Sequence, residues 1–416
     1  MLRLLLVLVL AVPLAQAFCC FSARDVTDVC GTCNGQSEPG EWCHDAEHCA
    51  RCSSVATWCG DNVEGSPTAQ PSTPVTKAPV SPPDLSPVAR FGALAVDNVK
   101  KRLVSKATGE TVQLVGMSLF WSNKGWRGDE YWNADVVHEL ATKWPGLSII
   151  RASVGVEDDG GYLDNPEHTL SVLRTVVDAA IAEGLYVIVC WHSHDAEFNA
   201  VKQRAKEFFP LITEEYGGVP NVLYNIYNEP EPHTLWSEIK AYAEEMLPFV
   251  REHAPDAVVL VGTEWWAQRP AATVLDPITS DANIIYGVHF YAAWAGHNKN
   301  RQFLRDAVDE IPIIIDEWGQ GCPHIECDPI EDETQTWMAL LDEFELSHVN
   351  WALNDKQEGV DYSLSALNAD ASTAGGWTDQ DFTEAGASTK AIIARYEIPE
   401  TAAPTVTPRP TSTPTS

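Results

Sequence analysis

Between Arg90 and Tyr396 one pattern repeats. A short run of β-branched and large apolar residues is followed by a break. A longer stretch with apolar positions three and four apart comes next. The first kind of run suits a buried strand and the second an amphipathic helix. Strands are predicted at Val112–Met117, Leu147–Ser153, Leu185–Trp191, Val222–Tyr227, Ala257–Gly262, Ile284–Phe290, Ile311–Glu317 and His348–Trp351. Helices are predicted at Ala134–Lys143, His168–Glu183, Ala196–Tyr216, Leu235–Glu252, Pro270–Leu275, Arg301–Asp309, Asp332–Glu345 and Ser388–Arg395. Eight strand–helix units in roughly 300 residues predict an α/β fold, a (β/α)8 TIM barrel. Arg90–Glu110 precede the first unit and read as a hairpin, with Gly109 in its turn, that caps the bottom of the barrel.

Two strands end in a carboxylate. Asn221–Pro230 reads NVLYNIYNEP, and Pro230, which cannot donate to a ladder, is expected to stop the strand beside Glu229. Ile311–Gly319 reads IPIIIDEWG and delivers Glu317. In a barrel the carboxyl ends of the strands form the active face. Other strand ends bring Arg151, Trp191-His192-Ser193-His194, Glu264-Trp265-Trp266, His289-Phe290-Tyr291 and Trp351 to the same rim. Paired carboxyls are what glycosidic cleavage needs: one protonates the leaving oxygen, the other attacks or activates water. Asp316 and Glu317 are adjacent, and strict strand alternation lets only one of them face the mouth.

The rest of the chain has other compositions. Residues 1–17 hold Arg3, an apolar run and Ala15-Gln16-Ala17, the form of a secretory signal, so a secreted, extracellular protein with no membrane anchor is expected. Residues 18–60 carry Cys19, Cys20, Cys30, Cys33, Cys43, Cys49, Cys52 and Cys59. So small a segment needs staples, and an even count in an oxidising compartment points to disulfides of open connectivity. The spacing Cys30-x2-Cys33 and Cys49-x2-Cys52 also fits a zinc ribbon. Trp42 and Trp58 suit either sugar stacking, in a carbohydrate-binding module, or a tiny core. Residues 61–89 are a Pro/Thr/Ser linker, and residues 398–416 repeat that composition as a tail. The barrel occupies residues 90–397.

These segments together resemble glycoside hydrolase family 5, most of all its bacterial-type endoglucanases. The resemblance is carried by GMSLFWSN (Gly116–Asn123), IIRASVGV (Ile149–Val156), GYLDNP (Gly161–Pro166), VDAAIAEGLYVIVCWHSHDAE (Val177–Glu197), NVLYNIYNEP, HFYA (His289–Ala292), DEWG (Asp316–Gly319) and NWALNDK (Asn350–Lys356). It implies a retaining endo-β-1,4-glucanase acting on cellulose-like polysaccharide, with mannanase or another β-glucan hydrolase as alternatives. By the same resemblance Glu229 is the acid/base, Glu317 the nucleophile and Asn228 the partner of the sugar 2-hydroxyl. Arg151 and Tyr291 attend the nucleophile. His289 lines the cleavage subsite, His192 binds substrate hydroxyls and Trp351 is the stacking platform at the cleavage subsite. Lys356 and Glu358 lie one subsite further out, and Trp121 and Trp266 are outer platforms. The resemblance also selects Glu317 over Asp316. Cys190 departs from the family and is expected to be a buried, inert thiol.

Two rival readings are weaker. His192-x-His194 is a pair of the kind zinc-dependent barrels use, but no further histidines follow a ligand pattern, so no metal and no cofactor is expected. A carbohydrate-binding protein without catalysis would not need both glutamates and Arg151. Fifty-nine acidic residues against 27 Lys plus Arg give a formal charge of −32, which disfavours nucleic acid and anionic membrane as partners. A monomer is expected.

Overall fold

The computed structural model describes residues 85–397, apart from 295, 324–326 and 357–361, together with 19–21 and 56–58. The segment expected to be a secretory signal, most of the cysteine-rich stretch with Trp42, most of the expected linker, the C-terminal Pro/Thr-rich stretch and Glu358 lie outside the described residues. Within the unit Met1–Thr73, Cys19–Phe21 pairs antiparallel with Ala56–Trp58.

In the second unit eight parallel strands close on themselves. They are β1 (Val115–Leu119), β2 (Ile149–Gly155), β3 (Tyr186–His192), β4 (Val222–Asn225), β5 (Val259–Gly262), β6 (Ile284–Tyr291), β7 (Ile313–Gly319) and β8 (His348–Leu353), each hydrogen-bonded to the next and β8 to β1. The surrounding helices are α1 (Ala134–Lys143), α2 (Pro166–Glu183), α3 (Asn199–Tyr216), α4 (Trp236–Arg251), α5 (Ala271–Leu275), α6 (His297–Ala307), α7 (Glu331–Glu343) and α8 (Glu384–Ala394). The second unit is therefore a (β/α)8 TIM barrel. Local chemistry starts several helices: the Asn133 side chain accepts from Val136 N–H, Pro166 opens α2, and Thr383 accepts from Gly386 N–H. Among the described residues no helix is long and apolar enough to cross a membrane.

All eight strands are buried on both faces, as parallel sheets covered by helices are. Ile150, Val187, Val189, Ile313 and Ile315 face the helices. Ile149, Ile188, Leu223, Ile285, Ile314 and Val349 face the lumen and form its floor with Leu94, Val96 and Leu103 from the hairpin. The hairpin thus plugs the bottom as expected, but its turn is different. Leu94–Asp97 pairs with Arg102–Ser105, and the Asp97 carboxylate accepts from Val99 and Lys100 N–H in the turn between them. Gly109, at φ +71°, closes the following turn onto Ser105 O. Val112 N–H bonds Leu103 O, so Val112 belongs to the hairpin and β1 begins only at Val115.

Two local irregularities place the site. β4 ends as a regular strand at Asn225, not at Pro230, because the Asn225 side chain captures Tyr227 N–H at 3.0 Å. In β7 Ile314 pairs with Gly287 and Glu317 with His289, so two β7 residues, Ile315 and Asp316, stand opposite one residue of β6. The offset recurs against β8, where Ile315 pairs with His348 and Trp318 with Asn350. This is a β-bulge. It breaks the alternation, so Asp316 and Glu317 both project into the lumen and Trp318 returns to the helix side. The expectation that only one of the two acids faces inward fails for that reason. The Trp351–Ala352 peptide bond in β8 is cis.

Candidate active site

The site lies where the inward positions of β2, β3, β4, β6 and β7 meet above the floor. Period-two alternation carries Arg151, Cys190, His192, Asn225, His289 and Tyr291 into the lumen. Glu317 is held from two sides: Arg151 Nη1 donates to Oε2 at 2.8 Å, and Tyr291 OH donates to Oε1. Arg151 is wholly buried, and its Nη2 also donates to Asn228 Oδ1. That bond fixes the Asn228 amide, whose Nδ2 is buried without a hydrogen-bond partner. An orphaned buried donor at a cleft is placed to meet a ligand acceptor. Glu229 lies four residues past the end of β4. His289 Nδ1 lies 2.6 Å from Glu229 Oε1, and His194 Nε2 lies 3.5 Å from Oε2. A carboxylate oxygen of Glu229 and one of Glu317 come within 4.8 Å of each other.

Electrostatics follow from this packing. Burial disfavours a charge on Glu229, but its bonds to His194 and His289 outweigh burial and pull its pKa below the usual carboxylate range. Burial and the neighbouring charge of Glu229 push Glu317 upward, against the pull of His289 and Arg151. Burial opposes a charge on His289 too, yet Glu317, Asp316 and its two hydrogen bonds push it up to about 10. Burial and Arg151 hold His192 neutral. Burial pushes the Cys190 thiol up, in keeping with an inert core sulfur. Among the described residues two groups of three bring potential metal-ligand atoms within 4.8 Å of one another: Glu229, His289 and Glu317, and Asp195, Glu231 and His233. In the first group Arg151 and Tyr291 already hold the two Glu317 oxygens, and Asp316 faces His289 Nε2.

The platforms surround these carboxyls. Trp351 lies stacked 5.0 Å from the His192 ring, and Trp121 stands 4.1 Å from the same ring. Trp121, His192, Glu229, Tyr291, Glu317 and Trp351 line one cleft of about 450 Å³, together with Trp265 and Trp266. Trp265, Trp266 and Ala267 all adopt left-handed backbone, φ 58°, 51° and 55°. Three such non-glycine residues in a row cost about 1–3 kcal/mol each, strain that is typical of functional sites. The turn is held by Trp266 N–H on Pro230 O at 2.8 Å, and Arg269 covers the Trp265 ring at 3.6 Å.

The sequence of residues 105–357 matches the family described as Cellulase (glycosyl hydrolase family 5). The chain belongs to glycosyl hydrolase family 5. Among curated relatives it is 39% identical to Endoglucanase Z of Dickeya dadantii, over 67% of this chain and 62% of that protein. Among solved structures, one from Cytophaga hutchinsonii is 36% identical with a TM-score of 0.69, covering 75% of this chain and 97% of that one. A variant of the Thermobifida fusca endoglucanase Cel5A catalytic domain, solved with cellotetraose, is 29% identical with a TM-score of 0.67, covering 74% of this chain and 99% of that one. The chain spans about three-fifths of the length of the curated relatives it matches.

Within this family 5 barrel the structure brings Arg151, His192, Asn228, Glu229, His289, Tyr291, Glu317 and Trp351 together. Trp121 and Trp266 line the same cleft. Lys356 does not line it: its Nζ lies 4.1 Å over Phe120 and 5.6 Å over Trp126. Glu264 turns away to accept Trp236 N–H at 2.7 Å, anchoring the start of α4. Trp144, Trp236 and Trp337 pack in the core. Cys322 and Cys327 are bonded to each other, Cα–Cα 5.8 Å. Three contributors stand at strand ends in the sequence but receive no site role from it. His194 follows His192 at the strand-like spacing of two, a signal spent on the metal reading. Trp265 joins Trp266 in the cleft because of the left-handed turn, which strand periodicity does not show. Asp316 escapes that periodicity because of the bulge.

Proposed function

We propose that the protein is a secreted, retaining endo-β-1,4-glucanase that cleaves internal bonds of cellulose-like glucans by double displacement. The observation that carries this reading is the approach of the Glu229 and Glu317 carboxylates to within 4.8 Å. Retaining glycosidases hold their two carboxyl groups about 5–5.5 Å apart, whereas inverting ones leave about 6.5–9.5 Å for a water. The endoglucanase relatives and the cellotetraose complex support the substrate class.

In the first step a Glu317 carboxylate oxygen bonds to the anomeric carbon. The bond from that carbon to the glycosidic oxygen breaks, and the departing oxygen takes a proton from Glu229. In the second step Glu229 removes a proton from water, the water oxygen bonds to the anomeric carbon, and the Glu317–sugar bond breaks. Arg151 and Tyr291 stabilise the Glu317 carboxylate as it is regenerated. Asn228 Nδ2 donates to the sugar 2-hydroxyl, a bond that strengthens in the transition state. Trp351 stacks on the sugar at the cleavage point.

Reducing-sugar release from carboxymethyl-cellulose tests this reading, with Glu317→Gln alongside. Turnover by the wild type and none by the variant is expected. Turnover of glucomannan or mixed-linkage glucan alone would reassign the substrate. Equal activity in both proteins would remove Glu317 from its role.

A further inference from the structure

Beneath Glu229 runs a chain of polar groups that the double displacement does not itself require. His289 Nδ1 faces Glu229 Oε1 at 2.6 Å, and His289 Nε2 faces Asp316 Oδ1 at 3.2 Å. Both ring nitrogens therefore address carboxylates, and only the imidazolium can donate to both. Asp316 is fully buried. Its second oxygen accepts from Asn225 Nδ2 at 2.7 Å and lies 3.6 Å from Arg151 Nε. The bulge in β7 turns Asp316 inward. Gly287 in β6 leaves it room, since a Cβ there would stand 2.6 Å from Asp316 Oδ1.

We propose that Asp316 is a positioning residue that makes His289 the proton store for Glu229. It holds the His289 Nε2–H, so Nδ1 always faces the acid/base. This rests on the roles proposed above for Glu229 and Glu317. As the aglycone departs, the Nδ1 proton passes to the Glu229 carboxyl, which delivers a proton to the glycosidic oxygen. His289 is left neutral, with its Nε2–H still on Asp316. In the second step Glu229 takes a proton from water and returns one to Nδ1. The logic is that of a carboxylate fixing the tautomer and stabilising the cation of a catalytic imidazole.

The charges around the relay fit this role. Asp316, Glu317 and Glu229 bring three carboxylates, Arg151 and protonated His289 bring two cations, and His194 Nε2 lies 3.5 Å from Glu229. Glu317 Oε1 is 3.8 Å from His289 Nδ1. His192 and Cys190 face the cluster uncharged. A resting proton on His289 also accounts for how strongly Glu229 is held ionised.

The test compares wild type with Asp316→Asn, which keeps the shape and removes the charge. The kcat/KM of the full-length protein is followed against pH on 4-nitrophenyl and 2,4-dinitrophenyl cellobiosides. Loss of a negative charge lowers the proton affinity of the His289–Glu229 pair, so the alkaline limb should move down by about one pH unit or more. On the 4-nitrophenyl substrate kcat/KM should fall on the order of 10–100-fold, part of the 10²–10⁴ that a general acid supplies. The 2,4-dinitrophenyl substrate leaves without acid help and should be nearly spared. An equal loss on both substrates with an unmoved alkaline limb would overturn the proposal. If the variant does not fold, ¹⁵N-histidine spectra of the wild type decide, with His289 assigned by loss of its signals in His289→Gln. Imidazolium signals persisting above pH 8 support the relay, and titration near 6.5 overturns it. Inactivity of the wild type on every glucan would instead refute the endoglucanase reading.

Discussion

At the scale of single residues, the two glutamates are made different by what touches them. Glu317 is gripped by a buried guanidinium and a phenol, which suits a group that must act as an anion. Glu229 touches two imidazoles, which suits a group that must gain and lose a proton. Glu229→Ala should therefore lower turnover of carboxymethyl-cellulose by roughly 10²–10⁴-fold, the contribution of general acid–base catalysis. It should still form the glycosyl-enzyme from an activated aryl cellobioside. Azide, which needs no base, should then release that intermediate as a β-glycosyl azide; an α-azide would mean inversion. Most of these residues could be read in the sequence because they stand at or just past the ends of apolar strand runs, in segments that resemble family 5, and that resemblance gave them their roles. Asp316 could not, since its direction is set by an extra residue in β7. The unpaired Asn228 amide was likewise invisible until Arg151 was seen to bond its oxygen.

At the scale of elements, all eight strand–helix units were legible, because each strand is a continuous apolar run and each helix is amphipathic. The errors lie at ends, where side chains override backbone tendency. Asn225 ends β4 early, Asp97 rather than Gly109 makes the hairpin turn, and Val112 joins the hairpin. The left-handed turn at Trp265–Ala267 had no signature, since no glycine marks it. The loop after β7 carries the Cys322–Cys327 bond, and its Pro323 lines the cleft. Closing so short a loop is worth about 2 kcal/mol by chain entropy. The double variant Cys322→Ser, Cys327→Ser should unfold a few degrees lower in a calorimetric scan. Because the loop borders the cleft through Pro323 but supplies neither carboxylate, KM for long glucans should rise more than kcat falls. An unchanged melting temperature would mean that packing alone holds the loop.

At the scale of the whole molecule, acid acts on stability in two opposite ways. The chain carries a formal charge of −32 at pH 7 and a sequence pI near 4.6, so acidification relieves self-repulsion. His348, at the start of β8, works the other way. It is fully buried between Trp318, at 5.9 Å, and Tyr396, at 5.3 Å, and neither ring nitrogen has a hydrogen-bond partner. Burial, helped by Arg395, pulls its pKa down from 6.5 to about 3. The folded value lies below the unfolded one, so as pH falls below 6.5 the unfolded chain binds this proton and the folded chain does not. The stability tied to a neutral His348 is thus complete above pH 6.5. It drains away at about 1.4 kcal/mol per pH unit until the folded pKa is reached. His348→Phe keeps an aromatic ring in the pocket and removes the titration. Both proteins share every other charge, so their difference cancels the general repulsion. Between pH 7 and pH 5, urea unfolding should show the variant gaining roughly 2 kcal/mol on the wild type, from 1.5 units of that slope. A gap that stays constant across this range would mean that His348 finds a proton-stabilising partner in the folded protein.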